Sequence, residues 1–156
     1  MKLYVDFDGV IVNTMEIIEQ ELKENNLKKT DEYYMNIDWL KLLNKCEIIN
    51  LAFKQIENLK SIFDISILTH IYTIEEGVAK LNFIRKYDKN LNVILVPKNI
   101  AKSKIVNAKN AILIDDYNEN IKDWINSGGI GIKFNNKSYL TINTLAEINN
   151  YVKLCE

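Results

Sequence analysis

Two carboxylates separated by one residue close the first apolar run of the chain. In "KLYVDFDGV", Asp6 and Asp8 flank Phe7 and precede Gly9. A strand that simply ended at the surface would need at most one polar residue there. Acids crowded at a strand end repel one another unless a cation sits among them, and hard oxygen donors select Mg²⁺. An ion held there would bring an anionic phosphoryl group against one carboxylate, which can attack it. Gly9 lets the chain leave the strand sharply, with backbone N–H groups free to cradle phosphate oxygens.

Other residues of matching chemistry fall at later strand ends. "ISIL" leads into Thr69 and His70, and "AILI" into Asp115 and Asp116, with Lys102 and Lys104 on the segment just before. In an open parallel sheet, ligands bind beyond the carboxyl ends of the strands, near the switch point in strand order. Carboxylates, a hydroxyl and an ammonium can therefore meet at one edge.

The elements that must position them read as a strand, a long helical stretch, then strands alternating with helices. "KLYVD" is the first strand. From Thr14 the apolar period becomes helical, with Ile17, Ile18 and Leu22 on one side. Helical segments continue to about residue 63, with no strand before Asp64. "ISIL" is a strand over residues 65–68, and Thr73 to Glu76 has the spacing of a capping box opening a helix. "LNVILV", halted by Pro97, "AILI" and "IGIKF" are further strands, and "NENIKDWINSGG" is a helix stopped by glycines. A second capping box, Thr144 to Glu147, opens a last helix. The alternation predicts an α/β fold, a Rossmann-like parallel sheet with helices on both faces.

At 156 residues, 47% apolar and 26% charged, the composition is that of one ordinary globular domain. A net charge of −1 with interspersed signs argues against bulk attraction to a nucleic acid polymer or an anionic membrane. No apolar run approaches the roughly 20 residues of a membrane span. The N-terminus meets an acid where a secretory signal would stay apolar. Cys46 and Cys155 are far apart and lack metal-ligand spacing, so each reads as a buried or half-buried thiol in a reducing, cytoplasmic setting.

"DFDGVIVNT" resembles the first motif of the haloacid dehalogenase (HAD) superfamily of phosphohydrolases. "SILTH" resembles the second, a basic residue follows, and "ILIDDYNEN" resembles the acidic fourth. The resemblance implies a Mg²⁺-dependent phosphatase on a small phosphorylated metabolite. Asp6 would be the nucleophile, Asp8 the general acid and base, and Thr69 and Lys104 would bind the phosphoryl group. His70 would contribute a backbone N–H, and Asp6, the Asp8 carbonyl and Asp116 would hold Mg²⁺. Lys102 competes with Lys104 for the basic motif. Asn120 would support the metal through water, and Asp115 would cap the following helix. The resemblance further implies a core of residues 1–14 and 61–156 with residues 15–60 inserted as a small helical cap. Within the superfamily the motifs look similar to the 5′(3′)-deoxyribonucleotidase-like group, which makes a nucleoside monophosphate the leading substrate; a sugar phosphate is the alternative.

The competing readings are plainer. A receiver-like phospho-acceptor also gathers acids, a Thr and a Lys around Mg²⁺, but it carries its acid pair first and no helical insertion. Tyr33, Tyr34 and Trp39 read first as packing of the insertion, and as base-stacking residues if the substrate is a nucleotide. Trp124 reads as packing its helix on the sheet.

Overall fold

A computed structural model describes residues 1–135, 141–142 and 144–148. Its centre is β1 (Lys2–Val5), whose alternation puts Leu3 and Val5 into one apolar cluster and Tyr4 into another on the opposite face. A strand buried on both faces is what a parallel sheet requires. Beside it lie β2 (Asp64–Ile71), β3 (Asn92–Pro97), β4 (Ile112–Asp115), β5 (Ile130–Phe134) and the two-residue β6 (Thr141–Ile142). The order is β3-β2-β1-β4-β5-β6 with every pairing parallel. The chain moves from β1 to β2 and β3 on one side and returns to β4 on the other. The carboxyl end of β1 is thus the switch point, where a crevice opens.

Helices cover both faces. On the Leu3 side pack α1 (Thr14–Glu24), α3 (Trp39–Lys45), α4 (Ala52–Leu59) and α5 (Ile74–Tyr87), through Ile18, Leu42, Ile56 and Ile84 among others. On the Tyr4 side packs α7 (Asn118–Asn126), whose Trp124 meets the Tyr4 ring edge-on at 5.4 Å and donates its indole N–H to the Ala111 carbonyl. The short α2 (Asp31–Met35) and α6 (Lys102–Ile105) complete the set. No helix among the described residues is long and apolar enough to cross a membrane.

The helical stretch after β1 leaves and returns at one point. Val12 bridges Ile48 antiparallel, the Asn13 N–H donates to the Glu47 carbonyl, and the Ile49 N–H donates to that of Ile11 at 2.8 Å. Between these ends lie α1, α2 and α3. Beyond them α4 packs on α5, with Phe53 stacked on Tyr87 at 4.7 Å.

Two elements differ from the sequence-based expectation. β2 runs on through Thr69 and His70, which pair with Leu95 and Val96 of β3, so the polar residues extend the strand rather than end it. Where a last helix was expected from Thr144, the described part is a 3₁₀ turn over Leu145–Ile148, and residues 149–156, with Cys155, lie outside the described residues. Cys46 is half-buried, its thiol on the Leu42 carbonyl.

Candidate active site

Beyond Val5 the chain makes a tight loop in which the Gly9 N–H donates to the Val12 carbonyl and the Ile11 and Val12 N–H groups donate to that of Phe7. Phe7 is fully buried against Phe83, which turns Asp6 and Asp8 towards the strand ends. There a cavity of about 500 Å³ is walled by Asp6, Asp8, His70, Asp116 and Asn120 from the sheet edge and by Tyr34 of α2 and Trp39 of α3.

Of the two lysines expected from the segment before β4, the one that reaches this edge is Lys102, not Lys104. Lys102 is buried, with Nζ 2.7 Å from Asp6 Oδ1 and 2.6 Å from Asp115 Oδ2. Lys104 is exposed, on the other side of a single helical turn. Burial works against the Lys102 charge, but Asp115 and Asp6 outweigh it and hold the ammonium above its ordinary range. For Asp6 the balance runs the other way. Burial, then Asp115, push its carboxyl well above the usual range, and Lys102 offsets this only in part.

Asp115 is fully buried and committed. Besides Lys102 it accepts from the Asn120 amide at 2.9 Å and from the Tyr117 N–H at 2.9 Å, so it does tie down the start of α7. Asn120, expected near a metal through water, lines the same cavity and is held there by its bond to Asp115. Asp116 lines the cavity, and its backbone carbonyl accepts from the buried Lys133 ammonium. Its carboxyl is pushed up to about 7 by burial and by the neighbouring Asp115 and Asp8.

Gly9 turns the chain sharply out of β1 as expected, and it has a second task. Its N–H is already taken by Val12, whereas its φ of +73° and bare Cα let Asp116 approach. A Cβ there would collide with Asp116 Oδ2. Thr69 is fully buried, its hydroxyl 3.4 Å from Asp8 Oδ2 and 3.4 Å from Lys80 Nζ. His70 lines the cavity, with Nε2 2.9 Å from the Ile100 carbonyl. A carbonyl only accepts, so this nitrogen carries the proton. Burial lowers the imidazole to about 4 and keeps it neutral.

Sequence reasoning missed Lys80. This α5 residue is fully buried, with Nζ 2.5 Å from Asp8 Oδ2 and 2.6 Å from Glu76 Oε1. The other Asp8 oxygen accepts from Thr14 Oγ1 at 2.7 Å. The usable signal was Glu76 and Lys80 four apart on the same stripe as Gly77 and Ile84. The aromatic residues also sort themselves. Tyr34 stacks on Tyr72 at 4.9 Å, nearly parallel, and Trp39 lies over Lys80. Tyr33 faces a separate groove among α1, α2 and α3, which holds none of the strand-end acids.

One carboxylate oxygen from each of Asp6, Asp115 and Asp116 lies within 4.8 Å of the others. Both Asp115 oxygens are taken, by Lys102, the Asn120 amide and the Tyr117 N–H, whereas Lys102 holds Asp6 at one oxygen only, so Asp6 and Asp116 are the pair whose repulsion a cation would relieve. Their hard oxygens suit Mg²⁺.

No family model matches the chain, and no curated protein matches it in sequence. Solved structures do. A HAD phosphatase from Thermococcus onnurineus superposes with a TM-score of 0.66 at 13% identity, over 97% of this chain and 98% of that one. The putative HAD-hydrolase YfnB from Bacillus subtilis, bound to magnesium, gives 0.65 at 14% identity over 97% of each chain. A subfamily IA HAD-superfamily hydrolase from Geobacter sulfurreducens gives 0.64 at 13% identity, over 97% of this chain and 99% of that one.

The fold is that of the HAD-superfamily hydrolases. In this chain the acids of β1 and β4 meet at the switch point, and helices follow directly after β1. At this identity the likeness is one of architecture alone.

Proposed function

We propose that this chain is a Mg²⁺-dependent phosphomonoesterase that transfers a phosphoryl group to Asp6 and then to water. The observation that carries the reading is the buried Asp6 carboxylate, held at one oxygen by Lys102 and within 4.8 Å of Asp116.

Asp6 and Asp116, with the Asp8 backbone carbonyl, would hold the Mg²⁺. When bound, the ion supplies positive charge that draws the phosphoryl oxygens against the acids. Lys102 orients Asp6 as the nucleophile and offsets charge on the transferring group. Asp6 attacks phosphorus as the bond to the leaving oxygen breaks, giving an aspartyl-phosphate. Asp8, once it has taken up a proton from solvent, gives it to that oxygen and is left as the carboxylate that takes a proton from the water cleaving the acyl phosphate, roles that commonly contribute about 10²–10⁴-fold. Thr69, behind Asp8, helps fix the carboxylate.

The segment over residues 15–60, of which α1, α2 and α3 lie between the paired ends at Val12 and Ile48, acts as the cap, excluding water and selecting the leaving group. A cavity of about 500 Å³ lies within the range of small-molecule sites. Lys98 sits over the rings of Tyr72 (5.9 Å) and Tyr117 (5.1 Å), where it meets negative charge or a polar leaving group. A nucleoside monophosphate is the leading substrate. The test is a phosphate-release screen over nucleoside monophosphates and sugar phosphates, with and without Mg²⁺. Release that needs Mg²⁺ and favours a nucleotide supports the reading; no release from any ester contradicts it.

A further inference from the structure

Lys80 stands apart from the Lys102 centre. Burying an ammonium costs several kcal/mol unless its protons and charge are met. Here they are met in full. An ammonium has three N–H donors, and Lys80 Nζ has Asp8 Oδ2 at 2.5 Å, Glu76 Oε1 at 2.6 Å and the His70 carbonyl at 3.0 Å. These three are its short contacts, with Thr69 Oγ1 farther off at 3.4 Å, and they fix its orientation. Burial opposes its charge, and Asp8 and Glu76 outweigh that.

The acceptors are themselves anchored. Glu76 sits one turn earlier on α5, and its other oxygen accepts from the Tyr72 N–H at 2.7 Å. The expected capping box is therefore half formed: Thr73 Oγ1 accepts from the Glu76 N–H, but the Glu76 carboxylate is diverted to Tyr72 and Lys80. Asp8 is gripped from two elements, by Lys80 of α5 and Thr14 of α1. The remaining approach to Nζ is closed by aromatic faces, Trp39 of the insertion at 4.5 Å and Phe7 at 5.7 Å. Such contacts strengthen when water is excluded.

We infer that Lys80 is a positioning residue for proton transfer to the leaving group: it fixes the Asp8 carboxylate, and Trp39 of the insertion seals it from water. The inference rests on the reading of Asp8 as the general acid. Among the described residues the ion pairs of Lys80 are with Asp8 and Glu76, while Asp6 pairs with Lys102. Loss of Lys80 should therefore spare the nucleophile and damage leaving-group protonation. Nothing in the active-site geometry requires the Lys80 ammonium to touch the phosphoryl group for this role.

Leaving-group dependence separates this role from a merely structural one. Departure of p-nitrophenolate needs little protonation; departure of a simple alkoxide depends on it. The experiment compares kcat/KM for p-nitrophenyl phosphate and for an alkyl phosphate in wild type, Lys80→Met and Trp39→Leu, with Mg²⁺ present. Lys80→Met should lose about 100-fold or more on the alkyl ester and less than about tenfold on the aryl ester. Trp39→Leu should shift the same ratio in the same direction by less, with Trp39→Phe restoring it. If Lys80→Met fails to fold, Lys80→Met/Glu76→Gln, which removes the orphaned carboxylate, reads the same ratio. Equal losses on both esters, or no loss on either, overturn the positioning role alone. A wild-type protein that cleaves neither ester overturns the phosphatase reading, and this role with it.

Discussion

Lys102 Nζ lies 2.7 Å from Asp6 Oδ1 across 96 residues of chain, and the same ammonium holds Asp115 at 2.6 Å. One cation thus ties the ends of β1 and β4 together in the core. Breaking a buried pair of this kind by removing one partner costs about 3–5 kcal/mol, because a charge is left uncompensated. Lys102→Met should therefore lower stability by that order and cut turnover by at least about 100-fold. Lys104→Met, on the solvent side of the same turn, should stay within about 0.5 kcal/mol of wild type. Urea unfolding and phosphate release on the two variants, side by side, check both.

The sequence could not separate these two lysines, and the reason is geometric. α6 has four residues, one turn, so no apolar period exists to set which side faces in. Elsewhere the period was long enough. The apolar runs of β1, β4 and β5 fall within a residue of the strands, and Asp6, Asp8 and Asp116 do meet at one cavity. Lys80 was hidden by a different effect. On α5 the inward stripe carries Glu76 and Lys80, an acid and a base that neutralise each other in the core yet look solvated in sequence. Gly9 was recognised for its freedom of φ, but the need for it comes from Asp116, which is distant in the chain.

Asp116 and Gly9 together give a metal prediction. Asp116 is pushed up to about 7, and Mg²⁺ binds the ionised carboxylate, so below that pH a proton competes with the ion. The rise in Tm on adding Mg²⁺ should be larger well above pH 7 than well below it, and Asp116→Asn should remove most of it. Gly9→Ala forces a Cβ onto Asp116 Oδ2 in a left-handed backbone. It should cost about 1–3 kcal/mol and reduce the Mg²⁺-dependent rise. Thermal melts with and without Mg²⁺ across pH measure all three.

His70 is the chain's one histidine, so its ring gives a single NMR titration. Burial depresses its pKa to about 4, below the ordinary 6.5. The folded state then binds fewer protons than the unfolded state between these values. The stability it contributes is present above about 6.5 and is lost as pH falls towards about 4. A midpoint near 6.5 in the folded protein would place the ring in water instead of against the Ile100 carbonyl. His70→Gln should flatten the acid limb of stability against pH.

The most direct test asks whether phosphorus becomes bonded to the sixth residue. Asp8→Asn, which keeps the nucleophile but slows hydrolysis of the acyl phosphate, is mixed with Mg²⁺ and an ester cleaved by wild type, quenched in acid, and mapped by peptide mass spectrometry. The account predicts a phosphoryl group on the peptide containing Asp6, and its absence in Asp6→Asn/Asp8→Asn. An unmodified Asp6 peptide, together with undiminished phosphate release by Asp6→Asn, would contradict it.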